Sequence, residues 1–219
     1  MTDTGSAQAQ DRYNLRKQPT QQRAIATVEA ILEAAARILV EEGYAAASTN
    51  AIAALAGVSI GSLYEYFPAK EAIFAELRRR EGIRHYTNLT REPRPTSPGA
   101  MLRHLVTCHL NYVRDNLALY VALETEVPRH AVAAVEQAVL ADYVPLSDAF
   151  LETHRDQLKP HNDIRFVTEL LMRVMSATVN DYALRSPAYL KTPELTEALI
   201  DLIGNYLLKD PLQAQGKAE

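Results

Sequence analysis

His104 and Cys108 stand four residues apart with His109 beside Cys108, and on a helix that spacing turns two soft ligands toward one face, as a zinc site requires. A third ligand has to come from another helix, and Glu124 is the carboxylate to try. Glu81 and His85 also share a helix face, but no paired Glu-x-x-His constellation accompanies them. Ser-His-Asp arrangements, a P-loop and a dinucleotide fingerprint are all missing, and His130, His154 and His161 read as surface or helix-end residues. The expectation is no metal, no cofactor and no enzyme, with a helical metal-dependent enzyme as the reading the His104–Cys108 pair keeps open. Polyanion chemistry has a better carrier. Residues 12–28 hold Arg12, Arg16, Lys17 and Arg23 and no acid. Residues 1–80 balance at 9 basic and 9 acidic side chains, and the net charge of −4 comes from the 14 basic and 18 acidic residues beyond them. Only one end of such a chain is suited to a polyanion, although a solvated tail carries the same signature.

A helical framework must position these groups. The chain has 219 residues, enough for one or two domains with a real core, and its 47% apolar content with 8 Gly is far from a disordered composition. Its single cysteine excludes an intrachain disulfide, no apolar run approaches a membrane span, and residues 1–11 lack the apolar stretch of a secretory signal. A soluble cytoplasmic protein is expected. Ile25, Val28, Leu32, Ala35 and Leu39 recur at spacings of 3 and 4, predicting a helix over 22–42 that Gly43 stops. Short helices follow over 51–56, ended by Gly57, and from Ser59 to about residue 66; Pro68 opens a fourth that runs through Ile73, Phe74 and Leu77. Residues 92–99 hold three Pro and one Gly and mark the domain boundary. Further helices are predicted over 100–116, 117–127, 131–158 (which Pro145 should kink or split), 163–185 and 193–208.

Residues 48–67 are the informative stretch. Gly57 permits a turn that β-carbons resist, Ser59 recaps the chain at once, and Ile52, Leu55, Val58 and Leu63 are the small core that sets two short helices at a steep angle. That is a helix-turn-helix, whose second helix can enter a DNA major groove. The run Ala-Gly-Val-Ser-Ile-Gly-Ser-Leu-Tyr-Glu-Tyr-Phe-Pro-Ala-Lys-Glu-Ala-Ile-Phe, from Ala56 to Phe74, resembles the DNA-binding domain of the tetracycline-repressor (TetR) family of bacterial regulators, and the resemblance covers residues 22–77. It implies an all-α protein: an N-terminal three-helix helix-turn-helix domain followed by a larger helical ligand-binding and dimerisation bundle. The implied organisation is a flexible basic arm (1–19), the DNA-binding domain (20–67), a connecting helix (68–91), the ligand and dimer domain (92–210) and a tail (211–219).

The resemblance also implies roles. Ile60, Gly61 and Ser62 open the recognition helix and meet base edges, with Ser59 capping it; Gly61 lets the backbone approach a base, and Ile60 offers only an apolar contact such as one to a thymine methyl. Tyr64, Tyr66 and Lys70 reach phosphates, Thr49 caps its helix and touches a phosphate, Asn50 tries a base, and Arg23 with Arg12, Arg16 and Lys17 adds phosphate or minor-groove contacts. Tyr64 and Tyr66 diverge by about 200° on a helix, so one core cannot hold both.

One recognition helix reads few base pairs, so a homodimer on palindromic operator DNA is expected. Ile164, Val167, Leu171, Val174 and Thr178 form one stripe and Leu195, Leu199, Leu202 and Tyr206 another; the family resemblance makes them a four-helix dimer interface, and the plain alternative is the protomer's own core. The helices over 100–158 are implied to enclose a small organic effector, with Met101, His104, Leu105, Cys108, Tyr112, Tyr120, Glu124, Tyr143 and Phe150 as candidate lining. No membrane partner is expected. A closed, fully packed region there would instead suit a DNA-binding regulator without an effector.

Overall fold

A computed structural model describes residues 14–89, 95–161 and 163–210. The described elements are helical: α1 (Gln22–Glu42), α2 (Thr49–Leu55), α3 (Ile60–Tyr66), α4 (Lys70–Leu89), α5 (Pro98–Asp115), α6 (Leu117–Thr125), α7 (Arg129–Thr153), α8 (Ile164–Arg185) and α9 (Pro193–Leu207), with 3-10 turns at Arg155–Gln157 and Pro187–Lys191. Among the described residues no helix is long and apolar enough to cross a membrane.

Local rules account for the boundaries. Gly43 closes α1 at φ +85°, and Gly57 turns the chain between α2 and α3 at φ +67°, the left-handed region that costs an L side chain about 1–2 kcal/mol. Ser48 caps α2 by accepting from the Ala51 amide, Ser59 caps α3 through the Ser62 amide, Ser97 caps α5 and Asp163 caps α8. The α2 cap is thus Ser48, and Thr49 is already inside the helix. Helix α7 runs through Pro145 unsplit. The missing N–H leaves the Ala141 carbonyl without an intrahelical donor, and Ala141 is exposed, so water can take that place.

The chain divides into two compact units that do not follow the expected boundary at 92–99: one takes the chain up to Ile83 together with Ala118–Val139, the other Arg84–Leu117 with the chain from Leu140 on. In the first unit Val28, Ile31, Leu32, Ala35, Ile38 and Leu39 of α1 bury against Ile52, Leu63, Phe67, Ile73, Phe74 and Leu77, and Leu123, Val127, Ala131 and Val132 complete the same core. Ile25 and Leu55, expected inside, are exposed, whereas Val58 packs on the core as expected. Buried Glu76 accepts from both Arg79 (2.6 and 2.7 Å) and Arg80 (2.7 Å), and Arg80 also pairs with Glu29.

In the second unit α5 packs on α9, and an Arg103–Glu197 pair at 2.7 Å ties them. Ile164 and Val167 bury with Leu158, Leu207 and Leu208, while Leu195 and Leu199 are also buried. The two predicted stripes therefore spend those members on the protomer's own core. Phe166, Leu202 and Tyr206 stay exposed, Phe166 and Leu202 by 59% and 60%.

Candidate nucleic-acid interface

The start of α3 stands at the surface. Ser59, Ile60 and Gly61 are exposed and Ser62 is half-buried, while the opposite side of the helix anchors Leu63 in the core. Ser59 Oγ accepts from the Ser62 amide at 3.0 Å and lies 2.9 Å from Ser62 Oγ, so the two hydroxyls fix the first turn together. A Cβ built on Gly61 meets nothing nearer than Ser59 Oγ at 3.7 Å, an ordinary contact. Nothing within the protein demands glycine there.

Two candidate phosphate ligands from different helices converge: Thr49 Oγ1 of α2 and the Tyr64 hydroxyl of α3 are 3.2 Å apart, with Tyr64 40% exposed. Asn50 is exposed beside them in sequence, and Arg23 is exposed at the start of α1. Tyr66 corrects the expectation. It is only 7% exposed and belongs to the core with Leu63 and Phe67, so of the two divergent tyrosines it is the one turned inward. Lys70 opens α4; its Nζ donates to the Tyr44 carbonyl at 3.1 Å and sits 4.0 Å above the Tyr44 ring.

The described end of the arm, from residue 14 on, makes contacts with the first unit. Leu15 packs on the core, the Arg16 amide donates to the Tyr66 carbonyl at 2.9 Å, and its Nη1 donates to the Tyr64 carbonyl at 3.2 Å. A cation here meets the carbonyl end of α3, where the helix dipole favours it. Lys17 is exposed, and Arg12 lies outside the described residues.

The expected effector-lining residues fall in both units. Tyr120 and Glu124 belong to the first unit, where Glu124 pairs with Arg78 and lies 3.6 Å from Arg129. Met101, His104, Leu105, Cys108, Tyr112, Tyr143 and Phe150 belong to the second unit and are half-buried. The Tyr86 and Tyr143 rings stack at 4.0 Å, and Phe150 meets the His154 ring at 4.5 Å. His104 Nε2 bonds the Leu89 carbonyl at 3.0 Å and its ring nitrogens lie 3.7 Å from Cys108 Sγ, while burial pushes the Cys108 thiol up from its ordinary value. Among the described residues no group of three or more His, Cys, Asp or Glu side chains could hold a metal ion. Clefts of about 190 Å³ (Ser97, Gly99, Gln157, Leu208, Asp210) and 170 Å³ (Asn14, Leu15, Gln18, Ala75, Glu76, Arg79, Val135) include none of the expected lining.

His109 turns away from the metal pattern. Its Nδ1 lies 2.9 Å from His85 Nε2, one donating to the other, with Tyr112 against His85 at 4.5 Å. Burial drops the His109 pKa from 6.5 to about 4. Above pH 6.5 His109 is neutral both folded and unfolded; as pH falls toward 4 the unfolded chain takes up the proton first, so stability falls across that window. The expected loss is about 3 kcal/mol. Urea titrations from pH 7 to pH 4 should show it, and His109→Leu should flatten that part of the profile; an equal slope in the variant refutes the assignment.

Sequence reasoning missed Tyr44, Arg78 and Glu126. Glu126 Oε2 accepts from the Tyr44 amide at 2.9 Å across 82 residues of sequence, and no local period encodes such a pair.

A capped, exposed helix presented across a glycine turn, flanked by a hydroxyl pair and a lysine, defines a helix-turn-helix DNA-binding domain. Residues 31–77 match the model of the bacterial regulatory proteins of the tetR family. A fatty acid metabolism regulator protein of Bacillus subtilis (strain 168) is 22% identical over 164 residues, covering 73% of this chain and 84% of its own length. Among solved structures, SmeT, the repressor of the Stenotrophomonas maltophilia multidrug efflux pump SmeDEF, shares the fold with a TM-score of 0.68 at 21% identity, over 88% of this chain and 95% of its own. FadR from Bacillus subtilis, solved with stearoyl-CoA, gives 0.64 at 19% identity over 80% and 96%. Residues 31–77 thus carry the DNA-binding domain of the tetR family, and the chain is a DNA-binding transcriptional regulator.

Proposed function

We propose that the protein is a cytoplasmic homodimeric repressor that holds a palindromic operator and releases it when a small organic effector binds. The first turn of α3 carries the reading: Ile60 and Gly61 are exposed and Ser62 half-buried, while Leu63 roots the helix in the core. In the groove these residues meet base edges, Asn50 tries a base, and Thr49, Tyr64, Lys70 and Arg23 hold phosphates. Few hydrogen-bonding side chains stand on this turn, so part of the specificity comes from DNA shape. Pairing runs through α8 and α9, where Phe166, Leu202 and Tyr206 are exposed apolar groups.

The effector site lies among the helices that carry Met101, His104, Leu105, Cys108, Tyr112, Tyr143 and Phe150. FadR with its acyl-CoA shows that this fold can accept a large organic ligand. Such a ligand acts by favouring a conformation whose recognition helices no longer match the groove, and a coupling of about 1–3 kcal/mol suffices for release. A compound screen for dissociation of the selected duplex tests the effector.

The DNA assignment is tested by selecting a duplex from a random library with the purified protein and measuring affinity against salt. Tyr64→Phe should weaken binding about threefold to tenfold, the scale of one ordinary net hydrogen bond. Lys70→Ala should weaken it by a similar factor and lower the slope of log K against log salt by about 0.9 for each lost phosphate contact. Wild-type affinity in both variants overturns the assignment.

A further inference from the structure

The turn after α1 is held from two sides, and both holds meet at Tyr44. On one side the Glu126 carboxylate, just past the end of α6, accepts from the Tyr44 amide at 2.9 Å. It sits so close to the backbone that a Cβ on Gly43 would lie 2.7 Å from Glu126 Oε2. On the other side Lys70 donates to the Tyr44 carbonyl at 3.1 Å and rests 4.0 Å above the Tyr44 ring, which in turn packs at 5.0 Å on buried Phe74. One peptide segment therefore spends its N–H on Glu126 and its C=O on Lys70.

We infer that Glu126 is a positioning residue for operator binding: by clamping the Tyr44 amide it fixes the carbonyl and ring that orient the Lys70 ammonium for a phosphate. An ammonium has three donors, and the bond to Tyr44 uses one, so the hold aims the group without exhausting it. Holding a flexible lysine in place lowers the ordering cost of the contact it makes. Glu126 has the wrong charge to attract DNA itself. Removing that charge alone should tighten binding, the opposite of what losing the clamp should do.

That opposition makes the test sharp. The inference rests on reading Lys70 as a phosphate ligand, so the experiment is a double-mutant cycle on the full-length protein with the selected duplex. Glu126→Gln removes the charge but keeps a carbonyl acceptor, and should bind at least as tightly as the parent. Glu126→Ala should weaken binding about fivefold and lower the salt slope, and in a Lys70→Ala background it should weaken binding no further. Tyr44→Leu, which deletes the platform and keeps the backbone, should likewise lose its effect once Lys70 is gone. If Glu126→Ala matches the parent, or weakens the Lys70→Ala protein just as much as the parent, Glu126 does not act through Lys70 and the inference falls. If Lys70→Ala is itself silent, the phosphate reading fails first and takes this route with it.

Discussion

Gly61→Ala should yield a more stable protein that binds its operator at least tenfold more weakly, and Gly61→Leu should lose at least a hundredfold. The two halves of the expectation have separate causes. Inside the protein Gly61 occupies an exposed helical position where an added Cβ finds only an ordinary 3.7 Å contact with Ser59 Oγ. Replacing a helical glycine by alanine at such a site restricts the unfolded chain and gains about 0.4–1 kcal/mol. On the proposed reading the same Cβ would stand where the backbone of α3 approaches a base, and steric exclusion has no means of relief when one side is a duplex. Thermal melting and duplex titration of the same preparations check both halves. A Gly61→Leu protein that binds like the parent would place the reading surface elsewhere, whereas a loss of binding accompanied by a loss of stability would return Gly61 to a structural role.

The helix-turn-helix was legible because its signals are local. Gly43 and Gly57 stand at positive φ where a stop and a turn were expected, and Ser59 caps α3 three residues before the amide it serves. Tyr64 and Tyr66 show where such reasoning ends. Their divergence around a helix requires one to leave the core, but which one depends on where the rest of the first unit packs, and that is tertiary information. The same limit explains the two units. The prolines and glycine at 92–99 are a genuine break in helical pattern, yet Leu123, Val127, Ala131 and Val132 join the core built by α1 to α4 from far along the chain. The Arg78–Glu124 pair spans 46 residues and the Glu126–Tyr44 clamp spans 82. Periodicity names an apolar face and is silent about its partner, which is also why Ile164 and Leu195 read equally well as interface and as core.

Leu202→Arg should convert the protein to a monomer and cost at least a hundredfold in affinity for a full palindrome, while affinity for a single half-site stays within about twofold. Leu202 is 60% exposed on α9 although its helix neighbours Leu199 and Ile203 are buried, so the substitution has little to disturb inside the protomer. Phe166 on α8 and Tyr206 on α9 are exposed as well, a large apolar area to leave in water unless a second copy covers it. Burying a leucine contributes about 1.5–3 kcal/mol, and in a two-fold interface each substitution counts twice, with the cost of burying an unpaired guanidinium added. Sedimentation separates this from unfolding: the variant should run as a folded monomer with the helical content of the parent. Two linked recognition helices gain affinity because the second half-site is met at high effective concentration, and a monomer forfeits that gain while keeping every contact α3 makes. A Leu202→Arg protein that stays dimeric would move the interface off this face of α9. A folded monomer that still bound the full palindrome like the parent would show that pairing is not what the operator requires.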